Sequence, residues 1–286
     1  MAYCSLADAR AEIKAIGTVD DDKIIRYIRQ VGARINAIMA PRTRRPVFEP
    51  YVEQRTFLLT SRDVNSMMGS FSFRDPLLSI TSVLVNTVDV TSSIEAYPLG
   101  RTPVRAIRFI NGAHSWYEFC NSRDPVYVYV AGTWGIRVDY ANAWVAYDTV
   151  QTNPIAPSGT TFIVENADGD DPYGIAPRFS AGQLLRIGDG LEILRVSDID
   201  TAANTVTVAR AQNGSSLPAG NYAIGSTVYV FEPEDQIRRV VARQAALMYA
   251  RMGAFQVETL DGVGVITYPE DLLVELRNVL TDYQYA

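Results

Sequence analysis

Apolar residues recur on a helical period at both ends of the chain and on an alternating period in between. Near the start, Ile24, Ile28, Val31, Ile35 and Ile38 follow a four-three spacing that makes one stripe, which Ile25 widens. Asp20, Asp21 and Asp22 precede it, where acids favour the positive end of a helix dipole, and Pro41 ends it. Ahead of this helix, Ser5 with Asp8 three residues on forms a capping-box pattern, and Gly17 closes the short helix it predicts. Towards the other end, Pro233, Glu234 and Asp235 suit the first turn of a helix carrying Ile237, Val241, Ala245, Met248 and Met252. Arg251 and Gly253 mark its end. After a hairpin-like stretch around Gly262–Ile266, a last helix opens at Pro269 and carries Leu272, Leu273, Leu276, Leu280 and Tyr283.

Between these ends the period changes to two. Val126-Tyr127-Val128-Tyr129-Val130 places valines on one face of a strand and tyrosines on the other. Strands are also expected at Arg55–Leu59, Ile80–Val85 and Val104–Ile110. Two prolines and a glycine within Thr152–Gly159 mark a break. Beyond it, five short strands are expected at Thr160–Asn166, Gln183–Ile187, Leu191–Val196, Thr205–Arg210 and Ser226–Phe231, with Gly188-Asp189-Gly190 as a turn.

These elements predict an α+β fold. Its expected form is a helical base made by the N- and C-terminal helices, with two inserted antiparallel β units, each a sandwich or small barrel. The divisions fall at residues 1–47 for the first part of the base and 48–152 for the first β domain. A second, barrel-like β domain follows at 153–232, and residues 233–286 complete the base.

Composition narrows the function. With 48% hydrophobic and 20% charged residues and a mean hydropathy near zero, the chain folds around real cores. No apolar run reaches the roughly 18–20 residues needed to cross a bilayer. The first residues lack a basic stretch followed by an apolar one, so no secretory signal is expected. The net charge is −6 and the isoelectric point about 5.0, which argues against a dedicated DNA-gripping protein. The two cysteines, Cys4 and Cys120, read as free thiols of a reducing cytosol.

Catalytic signatures are scarce. There is one histidine, His114, which reads as a hairpin residue. No nucleophile elbow, phosphate-binding loop or Cys-x-x-Cys pair occurs, and neither metal nor cofactor is expected. Asp168-Gly169-Asp170-Asp171 lacks the full spacing of a calcium loop and reads as a solvated turn. Glu192 with Asp189 is the carboxylate pair a glycosidase reading would use, and no cleft is predicted for it. Arg42, Arg44 and Arg45 after the second helix, and Arg238, Arg239 and Arg243 near the start of the penultimate helix, are candidates for contacts to DNA or to a neighbouring subunit. Solvated positions at helix ends are the plainer use of such cations.

Several stretches, in order, resemble head–tail connector (adaptor) proteins of tailed double-stranded DNA bacteriophages. The opening Leu6–Arg10 through Asp20–Ile25 is similar to their short helix followed by a Thr-x-Asp-Asp start of a long one. Asp75-Pro76-Leu77-Leu78-Ser79-Ile80-Thr81-Ser82-Val83, then Val128-Tyr129-Val130-Ala131-Gly132-Thr133-Trp134-Gly135, resemble two of their strands. Ala246–Gly253 and Tyr268–Asp271 resemble their C-terminal half. Gln183–Gly188 and Thr205–Arg210 resemble small β modules of phage structural proteins.

The resemblance implies a structural protein rather than an enzyme, located in the virion neck and assembled in the bacterial cytoplasm. It implies a ring of about twelve identical subunits under the portal protein. That ring would pass genomic DNA without sequence specificity, meet a further neck or tail-completion protein distally, and touch no membrane. Members often carry a longer tail that inserts between portal subunits; here the sequence stops at Ala286. Leu276, Leu280, Tyr283 and Tyr285 are then the candidate portal anchors. The competing expectation is a virion decoration or receptor- or glycan-binding β module, for which Trp116, Trp134 and Trp144 would have to form exposed platforms.

Overall fold

The computed structural model describes residues 2–13, 19–40, 47–65, 69–97, 99–110, 114–120, 124–152, 154–254 and 274–285. Thirteen strands and five α-helices lie among them. The chain divides into two compact units. One combines residues 1–46, 144–212 and 216–286; the other consists of residues 47–143 with 213–215.

The second unit is an open antiparallel sheet. Its strands are β1 (Tyr51–Leu58), β2 (Val64–Asn65), β3 (Ser70–Val85), β4 (Val88–Asp89), β5 (Ile94–Tyr97), β6 (Val104–Phe109) and β7 (Tyr127–Trp134). They order as β1-β7-β3-β6-β5, with β2 and β4 each paired to β3. The alternation read from Val126–Val130 is realised: Val126, Val128 and Val130 are buried while Tyr127 is exposed. An aromatic core fills the inner face, where Phe57, Phe71, Phe73 and Trp134 meet at ring separations of 5.4–6.1 Å. Trp116, on the short helix α3 (Trp116–Cys120), packs on Phe71 and Phe109.

Gly132 shows why this sheet needs its sequence. A Cβ there would lie 2.1 Å from the carbonyl oxygen of Ser79 on β3. The β3–β7 register shifts on both sides of this point, between Leu77 and Ser79 and between Ile80 and Ser82. The bulged strand therefore crowds against bare backbone.

In the first unit, six strands close into a barrel in the order β10-β11-β12-β9-β8-β13. They are β8 (Trp144–Thr152), β9 (Thr161–Val164), β10 (Leu184–Ile187), β11 (Leu194–Asp200), β12 (Thr205–Ala209) and β13 (Thr227–Phe231). Alternate residues such as Val150, Phe162, Leu185, Val196, Val206 and Val228 fill the interior. The Gly188–Gly190 turn joins β10 to the approach of β11, and Gly188 adopts a φ of 55°.

The same unit holds α1 (Leu6–Ile13), α2 (Asp21–Met39), α4 (Asp235–Ala254) and α5 (Val274–Tyr285). The predicted capping box is present: Ser5 Oγ accepts from the Asp8 N–H, and Asp8 accepts from the Ser5 N–H, both at 2.9 Å. Ile24, Ile28, Val31 and Ile35 of α2 are buried, as are Ile237, Val241 and Ala245 of α4. The expected helix end at Gly17 and the hairpin around Gly262–Ile266 lie outside the described residues.

The expectation of a helical base bearing two inserted β units is corrected. The molecule is mostly two antiparallel sheets with few helices. The barrel does not leave a helical base as an insertion, because barrel and helices share one unit. The physical reason is polar as well as apolar. The Leu6 N–H donates to Ser180 Oγ at 3.2 Å, and Arg238 of α4 pairs with Glu232 at the end of β13. The terminal helices thus find partners in the barrel region as well as in one another.

Candidate functional site

Three buried carboxylates organise the first unit. Glu192, just ahead of β11, accepts two hydrogen bonds from the Arg210 guanidinium at 2.8 and 2.7 Å. The Ala211 N–H and the Tyr222 hydroxyl donate to it at 2.9 and 3.0 Å. Burial alone would raise this carboxyl, but those donors and the Arg210 charge outweigh it and hold Glu192 below its ordinary value. Tyr222 is pushed upward in turn, by burial and by its bond to Glu192.

Asp148 of β8 is the second. It accepts from the N–H groups of Thr149, Glu165 and Asn166 and from Arg178 Nη1 at 2.6 Å. It thereby ties β8 and the segment just after β9 to Arg178, thirty residues away. The third is Glu232, which accepts from the hydroxyls of Tyr147 at 3.1 Å and Tyr173 at 2.7 Å and pairs with Arg238 at 3.2 Å. Arg238 also lies 3.5 Å from Asp8 and stacks over the Tyr173 ring. Burial and the neighbouring Glu232 raise Tyr147 well above its usual range. Cys4, fully buried nearby, is likewise raised by burial.

Each carboxylate is matched by cations and donors that belong to the fold. These contacts tie together segments that are distant in the chain. The groove of about 640 Å³ beside α1 and α2 is lined in part by Arg26, Arg29, Asp168, Phe179 and Asp198. Among the described residues no group of three or more His, Cys, Asp or Glu is placed to hold a metal ion.

The residues singled out by sequence are dispersed. Arg42, Arg44 and Arg45 lie outside the described residues. Arg238 is half-buried in its ion pairs, Arg239 is exposed, and Arg243 is exposed and pairs with Glu275 of α5 at 3.0 Å. Leu276 and Leu280 are each 1% exposed, inside this chain's own packing, and Tyr283 is half-buried. The side chain of Tyr285 lies outside the described residues. Asp189 is exposed, whereas Glu192 is consumed by Arg210, so the two form no carboxylate pair. Asp171 accepts from the N–H groups of Tyr173 and Ile175 and organises its own loop. His114 packs its ring against Phe109 and Phe119.

Sequence reading missed the Asp148–Arg178 and Glu192–Arg210 pairs. Each joins residues far apart in the chain, and no local period marks them. Set against models of protein families, curated proteins and solved structures, the chain matches none. Among the described residues no helix is long and apolar enough to cross a membrane.

Proposed function

We propose that this chain is a structural protein of a phage neck: a head–tail connector that forms a ring beneath the portal and extends the DNA channel towards the tail. The observation that carries the reading joins two stretches on which the resemblance rests. Asp75–Val83 and Val128–Gly135 lie about fifty residues apart in the sequence, yet β3 and β7 pair through them, with Leu77 opposite Trp134 and Val83 opposite Val130. Gly132, part of the second stretch, sits where only glycine fits. The two stretches thus form one structural feature.

The chemistry of the buried carboxylates favours a structural role, since each is matched within the fold. A net charge of −6 suits a channel through which DNA slides without sticking. For the competing reading, a virion decoration or receptor- or glycan-binding module, the three tryptophans named for it form no exposed platform. Trp116 and Trp134 are each 1% exposed, and Trp144 is packed between Phe231 and the Arg186 guanidinium.

Deleting the gene from its phage and imaging the lysate tests the proposal. Separate heads and finished free tails are the expected result. Complete virions that fail to adsorb would overturn it.

A further inference from the structure

We infer that the open edge of β1 is an assembly surface, which takes up the β5 edge of a second copy of this chain and so continues one sheet from subunit to subunit. β1 is the end strand of its sheet, and its register with β7 is unbroken over all eight residues. The Leu59 N–H donates to the Val126 carbonyl at 2.8 Å. In an antiparallel ladder that fixes the parity: residues 53, 55 and 57 face β7, and residues 52, 54, 56 and 58 turn their N–H and C=O groups outward. Two further contacts agree. A Cβ on Gly214 would lie 2.0 Å from the Val52 carbonyl oxygen, so that end of the edge is already occupied. Tyr127, opposite Leu58, has its carbonyl bonded by the Asn86 N–H on the β3 side.

What remains is a strip at Gln54, Thr56 and Leu58. All three residues are exposed, Leu58 by 51%, and among the described residues no strand pairs with them from the outer side. Native sheets normally blunt such an edge with a proline, a bulge, a lysine or a covering element. Tyr51–Leu58 contains no proline or lysine, and no bulge interrupts its pairing with β7. It is rich in residues that favour strands, and of its charges Arg55 pairs with both Glu53 and Asp75. An edge of this kind pairs with another strand.

The occupant follows from the topology. Among the described residues the same sheet ends on its other side in β5, Ile94–Tyr97, which pairs with β6 alone. A sheet with an end strand on each side can join copies head to tail through one repeated interface, the type of contact that closes into a ring. Closure into a ring rests on the connector reading; the pairing itself does not.

The test is sedimentation of the full-length chain over a range of concentrations, for the wild type, Thr56→Pro and Thr56→Lys. The Thr56 N–H points outward, so proline there removes a donor that the fold does not use. Unchanged circular dichroism and melting confirm folding, and lysine provides a second block if proline perturbs the strand. The wild type should self-associate, and both variants should do so about tenfold or more weakly, the loss expected from one strand pair. Labelled Thr56→Pro chain, whose β5 edge is intact, should still co-sediment with wild type. A wild type that stays monomeric, variants that assemble like wild type, or a Thr56→Pro chain that ignores wild type would each overturn the inference. Neck defects in the deletion phage together with unimpaired assembly of the variants would sink the edge and leave the connector reading standing. Edge-dependent assembly of a protein whose deletion leaves the neck intact would do the reverse.

Discussion

Glu192 and Gly132 illustrate two opposite ways in which a single residue constrains this chain. Glu192 is held by four donors, and its carboxyl lies below the ordinary value of 4.5. A group whose folded value is depressed stabilises the native state above its unfolded value, and that stabilisation is lost as the pH falls through the folded one. The wild type should therefore lose stability on acidification below about pH 4.5. Glu192→Gln should remove this component of the pH profile. It should also cost about 3 kcal/mol at neutral pH, because Arg210 stays buried beside an uncharged amide. Urea unfolding from pH 3 to pH 7 checks both, and a variant profile parallel to the wild type would refute the role given to Glu192. Gly132 acts by absence. With the Ser79 carbonyl in the space of a Cβ, Gly132→Ala must displace β3 or β7 and should cost about 1–3 kcal/mol. A midpoint unchanged in denaturant would show that the strands yield freely.

Elements were legible in the sequence wherever a local period or cap defined them. The Ser5–Asp8 capping box, the stripe from Ile24 to Ile35 and the Val126–Val130 alternation all appear in the structure because each depends on neighbours within a few residues. Ser5→Ala should cost about 1 kcal/mol and speed amide exchange in the first turn of α1, with little effect on α4. Exchange that rises equally in both helices would mean that Ser5 acts through packing instead. Pairing across long stretches left no such trace. β1 lies beside β7, more than seventy residues on, and β8 closes the barrel against β13. Strand periodicity marks faces, not partners, so the barrel was readable as a set of strands but its closure was not. The candidate anchors fared similarly. Leu276 and Leu280 carry a clear helical period, but a period cannot say whether the buried face meets this chain or another; here it meets this chain.

At the scale of the whole molecule, two separate cores raise the question of cooperativity. The open sheet is built around Phe57, Phe71, Phe73 and Trp134, and the barrel around residues such as Val150, Leu185 and Val206. The chain crosses between the units near residues 46 and 144, and the three residues Asn213–Ser215, from the β12–β13 connection, belong with the sheet unit. There Asn213 donates to the Pro50 carbonyl and to the Glu49 carboxylate. Few chain crossings and independent cores predict calorimetric unfolding in two components, departing from a two-state transition. The residue substitutions then serve as labels. Gly132→Ala should lower the component of the sheet unit alone, and Glu192→Gln that of the barrel unit alone, since distant sites with no shared partners act independently. A single transition shifted by both substitutions would mean instead that the two units melt as one. The edge on β1 would then be anchored to the stability of the entire chain, and assembly through it would stiffen the barrel as well as the sheet.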